Sequence, residues 1–90
     1  MLEIFYTSRF KKDYKKIVKQ RKMISEFEKV VTLLQNQKTL PERYKDHNLT
    51  GNYVGFRECH ITPDWLLIYQ IDHDQLVLVL TRTGSHSELF

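Results

Sequence analysis

The sequence predicts a small α+β domain, two helices packed on a small antiparallel sheet in the order β-α-α-β-β-β. Three observations carry this. Two stretches between Ser8 and Leu34 repeat apolar residues at the 3–4 spacing of a helix face. Three stretches after Gly55 are strand-length apolar runs separated by turn residues. The chain has 90 residues, 41% of them hydrophobic, enough for a single core and one domain spanning 1–90.

Each element follows in turn. Leu2–Tyr6 is a short apolar strand. Ser8 stands as an N-cap before Phe10, Tyr14, Ile17 and Val18, which mark one face of a first helix, with lysines on the other. The break at Gln20-Arg21-Lys22 has neither Gly nor Pro. Ser25 and Glu28 have the spacing of a capping box, and Phe27, Val30, Val31 and Leu34 form the stripe of a second helix. The two stripes should face each other and the sheet. Asn36 to Gly55 is a long polar connection, anchored by Tyr44, His47, Leu49 and Tyr53 and expected to pack in order across the domain. Phe56–Thr62 alternates as a strand, and Thr62-Pro63-Asp64 turns into a second strand, Trp65–Ile71. Asp72-His73-Asp74-Gln75 is a hairpin turn. Leu76–Thr83 is a third strand, whose apolar run places it centrally, and Ser85–Phe90 is a short tail.

Composition excludes several classes. No apolar run approaches the ~20 residues of a membrane span, and the N-terminus lacks the pattern of a signal peptide. The lone cysteine, Cys59, allows neither an internal disulfide nor a cysteine-built zinc site, and the expected location is the cytoplasm. The net charge of +3 is unevenly spread: residues 1–22 carry +6, residues 23–44 balance, and residues 45–90 carry −3. Lys11, Lys12, Lys15, Lys16 and Lys19 make the first helix a basic face suited to a polyanion such as RNA. The same lysines would serve equally as a solubilising surface.

Four histidines are present: His47, His60, His73 and His86. None has the i, i+4 spacing of a zinc-binding pair, so no metal site is expected. His73 lies in a turn between two aspartates and reads as solvated. Glu58 and His60 are two apart on a strand and share a face, while Arg57, Cys59 and Ile61 take the other. Asp64 and Trp65 follow the strand end. The third strand delivers Arg82, His86 and Phe90, and the long loop could bring His47 to the same edge. This inventory suits phosphodiester cleavage of RNA without metal or cofactor. An imidazole, with an ordinary pKa of roughly 6.5, can take the 2′-hydroxyl proton or protonate the departing oxygen. A guanidinium suits the phosphorane charge, and aromatic faces stack unpaired bases.

Four segments carry a resemblance. Tyr44-Lys45-Asp46-His47-Asn48-Leu49-Thr50-Gly51 resembles the Y-K-D-H-x-L-x-G signature of YafQ-type toxins in the RelE/ParE superfamily. Phe56-Arg57-Glu58-Cys59-His60-Ile61 and Pro63-Asp64-Trp65-Leu66-Leu67-Ile68-Tyr69 are similar to its next two blocks, and Arg82–Phe90 to its R-x-G-[ST]-H-x-x-L-F ending. The resemblance implies a RelE-like fold and the toxin of a bacterial type II toxin–antitoxin pair. It further implies a ribosome-dependent endoribonuclease that cuts translated mRNA on the 70S ribosome and is held inactive by a DinJ/RelB-like antitoxin. Operator DNA would be bound only through the antitoxin complex. By the same resemblance His86 is the proton donor, and His47, His60 and Asp64 are the base and substrate-positioning groups, with the base left open among the three. Trp65 and Phe90 are nucleotide contacts, and Arg82 and Glu58 complete the set. Two alternatives stand beside it: a ParE-like toxin that poisons DNA gyrase, which would not need the histidines, and a catalytically silent module that binds antitoxin and DNA.

Overall fold

A computed structural model describes residues 1–20 and 23–90. Arg21 and Lys22, where the break between the helices was placed, lie outside the described residues. The chain runs β1 (Glu3–Tyr6), α1 (Ser8–Lys19), α2 (Ile24–Gln35), β2 (His47–Asn48), β3 (Arg57–Thr62), β4 (Trp65–Asp72), β5 (Val77–Gly84) and α3 (His86–Leu89). The strands form one five-stranded sheet in the order β1-β5-β4-β3-β2. The expected α+β layering holds, with two refinements. The sheet is mixed, because β1 pairs with β5 in parallel. The two-helix crossover between them allows this, where a short hairpin loop would not. The central strand is β4, and β5 lies between β4 and β1.

Local chemistry sets the helix starts. Thr7, not Ser8, caps α1: its hydroxyl accepts the Phe10 N–H at 3.0 Å and donates to the Thr81 carbonyl at 2.7 Å, so the cap also ties α1 to β5. α1 buries Phe10 and Ile17 with Tyr14 between them, and Val18 turns outward, 50% exposed. One helical step of 100° separates Val18 from Ile17, which takes it off the narrow buried stripe. α2 begins at Ile24, with Met23 at the N-cap. Ser25 therefore sits inside the first turn and makes no capping box. The stripe Phe27, Val30, Val31, Leu34 is buried as expected. Phe27 links the layers, stacking on Phe10 at 6.0 Å and on Trp65 at 5.7 Å.

The long connection is ordered by its own anchors. Leu40 and Tyr44 are buried, and the Tyr44 hydroxyl donates to Glu26 Oε2 at 2.8 Å. Short 3-10 turns over Glu42–Tyr44 and Gly51–Tyr53 flank β2, which pairs with β3. The tail is not irregular: Ser85 and Glu88 form a reciprocal capping box that starts α3. Gly84 has φ 157°, and a Cβ there would come within 3.2 Å of Glu88 Oε1, so glycine lets α3 fold back on its own strand.

The sheet is covered on both faces. Cys59, Trp65, Leu67, Leu78 and Leu80 belong to the main core with α1 and α2. On the opposite face Leu66 and Ile68 meet Leu89 of α3 and the part-buried Leu49, Tyr53 and Phe56. Among the described residues, no helix is long and apolar enough to cross a membrane.

Candidate active site

The candidate acid/base residues lie on this second face. Sheet register aligns His47, Glu58, Ile68 and Arg82 in one row across β2, β3, β4 and β5. Directly paired residues share a face. His60, Leu66 and Gly84 form the next row. Two strand spacings, about 10 Å, therefore separate the His60 backbone from the strand end that leads into His86.

One side of the face is a trio. His47 Nε2 lies 3.5 Å and His60 Nε2 3.7 Å from Glu58 Oε1. The two imidazole rings are 6.4 Å apart. His47 Nδ1–H donates to the Lys45 carbonyl at 2.7 Å, which fixes the tautomer and leaves Nε2, beside the carboxylate, to exchange the proton. Glu58 is 5% exposed, and its Oε2 is buried with no hydrogen-bond partner among the described residues. Such a carboxylate would gain most from a cation or imidazolium beside it. The antiparallel pairing of β2 with β3 is what sets His47 opposite Glu58.

The other side is aromatic and cationic. His86 packs on Phe90 at 5.1 Å, and Phe90 meets Tyr53 edge-on at 5.7 Å. Phe90 is 54% exposed and keeps a face open to solvent. Arg82 donates from Nε and Nη2 to Asp13 at 2.8 and 3.1 Å, and the Thr83 N–H donates to the same carboxylate at 3.2 Å. Asp13, with a further contribution from Tyr53, pushes the guanidinium pKa above its ordinary value.

The structure corrects one expected contact. Trp65 is 0% exposed, stacks on Phe27 inside the core, and donates from Nε1 to Thr83 Oγ1 at 2.6 Å. It offers no ring face to a nucleotide; the strand start that follows Pro63 points it inward. Asp64 is exposed in the β3–β4 turn just past His60, outside the contacts of the trio. Of the basic face, Lys16 pairs with Glu88 of α3, and Lys11, Lys12, Lys15 and Lys19 are exposed. The basic helix thus borders the site. His73 is exposed in its turn, as expected. Sequence reasoning missed Asp13 and Tyr53 as site residues. Asp13 had a signal, being the lone acid between Arg9 and Lys22.

A five-stranded sheet with two long helices on one face, a short third helix on the other and clustered histidines beside a basic helix is the frame expected of the toxin class that the motifs resemble. Residues 2–90 match the family described as the bacterial toxin of a type II toxin–antitoxin system, YafQ. The chain belongs to the YafQ toxin family. The mRNA interferase toxin YafQ of Escherichia coli K12 is 42% identical over 89 residues, covering 98% of this chain and 95% of the relative. A metal-bound toxin from Helicobacter pylori is 47% identical with a TM-score of 0.94, each chain covered in full. YafQ in the E. coli DinJ–YafQ complex is 38% identical with a TM-score of 0.89, covering 100% of this chain and 99% of that one.

Proposed function

We propose that this toxin is an mRNA interferase, an endoribonuclease that cleaves translated mRNA on the 70S ribosome by acid/base chemistry. The observation that carries the reading is the His47–Glu58–His60 trio on the same sheet face as Arg82 and the His86–Phe90 tail. A gyrase poison or a silent binding module would have no use for paired imidazoles around a buried carboxylate.

The chemistry proceeds in one displacement. A base removes the 2′-hydroxyl proton, O2′ attacks the adjacent phosphorus, and the P–O5′ bond breaks. The departing O5′ takes a proton from the acid, leaving a 2′,3′-cyclic phosphate and a 5′-hydroxyl. In this reading His47 or His60 accepts the first proton at Nε2, and the adjacent Glu58 carboxylate stabilises the imidazolium; the short Nε2–Oε1 distances support it. Asp64, exposed past His60, would position the chain rather than share the proton. His86, across the face, donates to O5′. Arg82 stabilises the phosphorane, and Phe90 stacks a base. One relative is described as metal-bound. Among the described residues no group of three or more His, Cys, Asp or Glu side chains is arranged to hold a metal ion. The DinJ–YafQ relative supports a DinJ/RelB-like antitoxin as partner. In the same reading operator DNA is bound only through the antitoxin complex, and both proteins act in the cytoplasm.

The test is expression of single variants under tight repression, with mRNA cut sites mapped on ribosomes. His86→Ala should lose growth arrest and cleavage by 10²–10⁴-fold, the range of a general acid (roughly). His73→Ala should remain toxic. Equal toxicity of His86→Ala and the unaltered chain would remove His86 from the mechanism.

A further inference from the structure

A pocket of about 440 Å³ lies outside the acid/base groups but shares His60 with them. Its origin is the shortness of β2. That strand covers only Arg57 and Glu58, so β3 from Cys59 onward has a free edge. The 3-10 turn at Glu42–Tyr44 and the start of α2 stand off from this edge and leave a gap. Ile61 and Pro63 of the β3–β4 hairpin line one wall, Met23 and Glu26 another, and Arg43 and Lys45 a third.

The third wall is preordered. Arg43 is exposed, yet its guanidinium lies over the Tyr44 ring at 4.7 Å and donates from Nη2 to the Tyr44 hydroxyl at 2.7 Å. That hydroxyl is itself pinned by Glu26 at 2.8 Å. A fixed guanidinium plane beside apolar walls is a stacking platform for a nucleobase. Lys45 adds a cation for a phosphate, and Glu26 adds an acceptor for a base amino group. The size falls within the range of small-ligand sites.

We propose that this pocket is a base subsite: it takes an unpaired nucleotide next to the one being cleaved, its base on the Arg43 plane between Met23 and Ile61, its phosphate on Lys45. This deepens the RNA-cleaving reading above and rests on it for the identity of the ligand as mRNA. Continuity supports it, since the same His60 side chain faces both the pocket and Glu58.

The experiment uses the full chain and 2′-O-methyl ribotrinucleotides, which cannot be cleaved through O2′. Backbone amide signals of Met23, Ile61 and Thr62 should shift on titration. Arg43→Ala and Arg43→Lys should each weaken binding about tenfold, the scale of one lost stacked base, because lysine keeps the charge but not the plane. Met23→Glu should weaken it by placing a negative charge on the wall. Full affinity in Arg43→Lys, or shifts confined to residues around His47 and His86, would overturn the subsite. The two readings fail separately. If trinucleotides bind here but no mRNA is cut on ribosomes, the subsite stands and the chemistry falls. If Arg43→Ala cuts mRNA with unchanged KM and unchanged sites, the chemistry stands and the subsite falls.

Discussion

Replacing Glu88 by Gln, alone and with Ser85→Ala, tests whether an ordered α3 is what makes His86 useful. Glu88 Oε1 accepts the Ser85 N–H at 2.9 Å, the Glu88 N–H donates to Ser85 Oγ at 3.3 Å, and Oε2 pairs with Lys16. Lys16 first, then Ser85, hold the carboxyl well below its ordinary 4.5, at about 2. Before solvent screening, that lowering corresponds to roughly 3 kcal/mol. The side chain is 29% exposed, so solvent screening reduces this to about 1 kcal/mol. Loss of the Ser85 cap adds about 1 kcal/mol. A helix of this length has no stability of its own, and Leu89 is its buried anchor. The single change should therefore raise the frayed population of α3 about fivefold, and the double change about thirtyfold. Amide hydrogen exchange at Leu89 and Phe90, whose N–H groups donate to Ser85 and His86 carbonyls, reads this directly. Cleavage should fall in step in the double variant while the global melting temperature moves by only a few degrees. The pH dependence has a fixed sign. A depressed folded pKa means the contribution is complete above about 4.5 and is lost as pH falls from there toward about 2. Unchanged exchange at Leu89 and Phe90 in the double variant would refute the role given to the cap.

Other outcomes follow from the same geometry. Trp65→Ala should cost about 3–5 kcal/mol in chemical denaturation, and Trp65→Phe, which keeps the ring but loses the Thr83 hydrogen bond, should retain cleavage per folded molecule. A loss of activity in Trp65→Phe without a loss of stability would return Trp65 to the RNA. Replacing Lys11, Lys12 and Lys15 by Gln should weaken ribosome binding and flatten its salt dependence, measured by sedimentation across a salt series. Asp13→Asn should lower kcat, because Arg82 loses the carboxylate that aims it; stability should drop by about 1–2 kcal/mol.

The sequence made much of this legible, and the physical reasons are specific. β3 alternates cleanly, so Glu58 and His60 were placed together on one face and Cys59 in the core. The anchors Tyr44, His47, Leu49 and Tyr53 signalled an ordered connection, but whether it carried His47 to the same edge was left open, because only the β2–β3 pairing decides it. β4 is buried on both faces, so periodicity could not say where Trp65 points. Two S-x-x-E spacings are present. Ser25–Glu28 looked like a cap and lies inside a helix, whereas Ser85–Glu88, read as tail, is the true box. Only the start of each helix decides between them. Asp13 to Arg82 and Phe90 to Tyr53 are contacts between distant segments, which local patterns do not encode.

The claim that this face cleaves RNA through the neighbouring hydroxyl has one direct measurement. A translated mRNA carrying a single 2′-deoxynucleotide at the mapped cut site is incubated with ribosomes and the toxin. The ends of the products from the all-ribose message are identified in parallel. Attack by O2′ predicts a 2′,3′-cyclic phosphate and a 5′-hydroxyl from the ribose message, and no cleavage at the deoxy position. Cleavage at the deoxy position at the ribose rate would contradict it, because the 2′-hydroxyl proton that the proposed base removes would not exist.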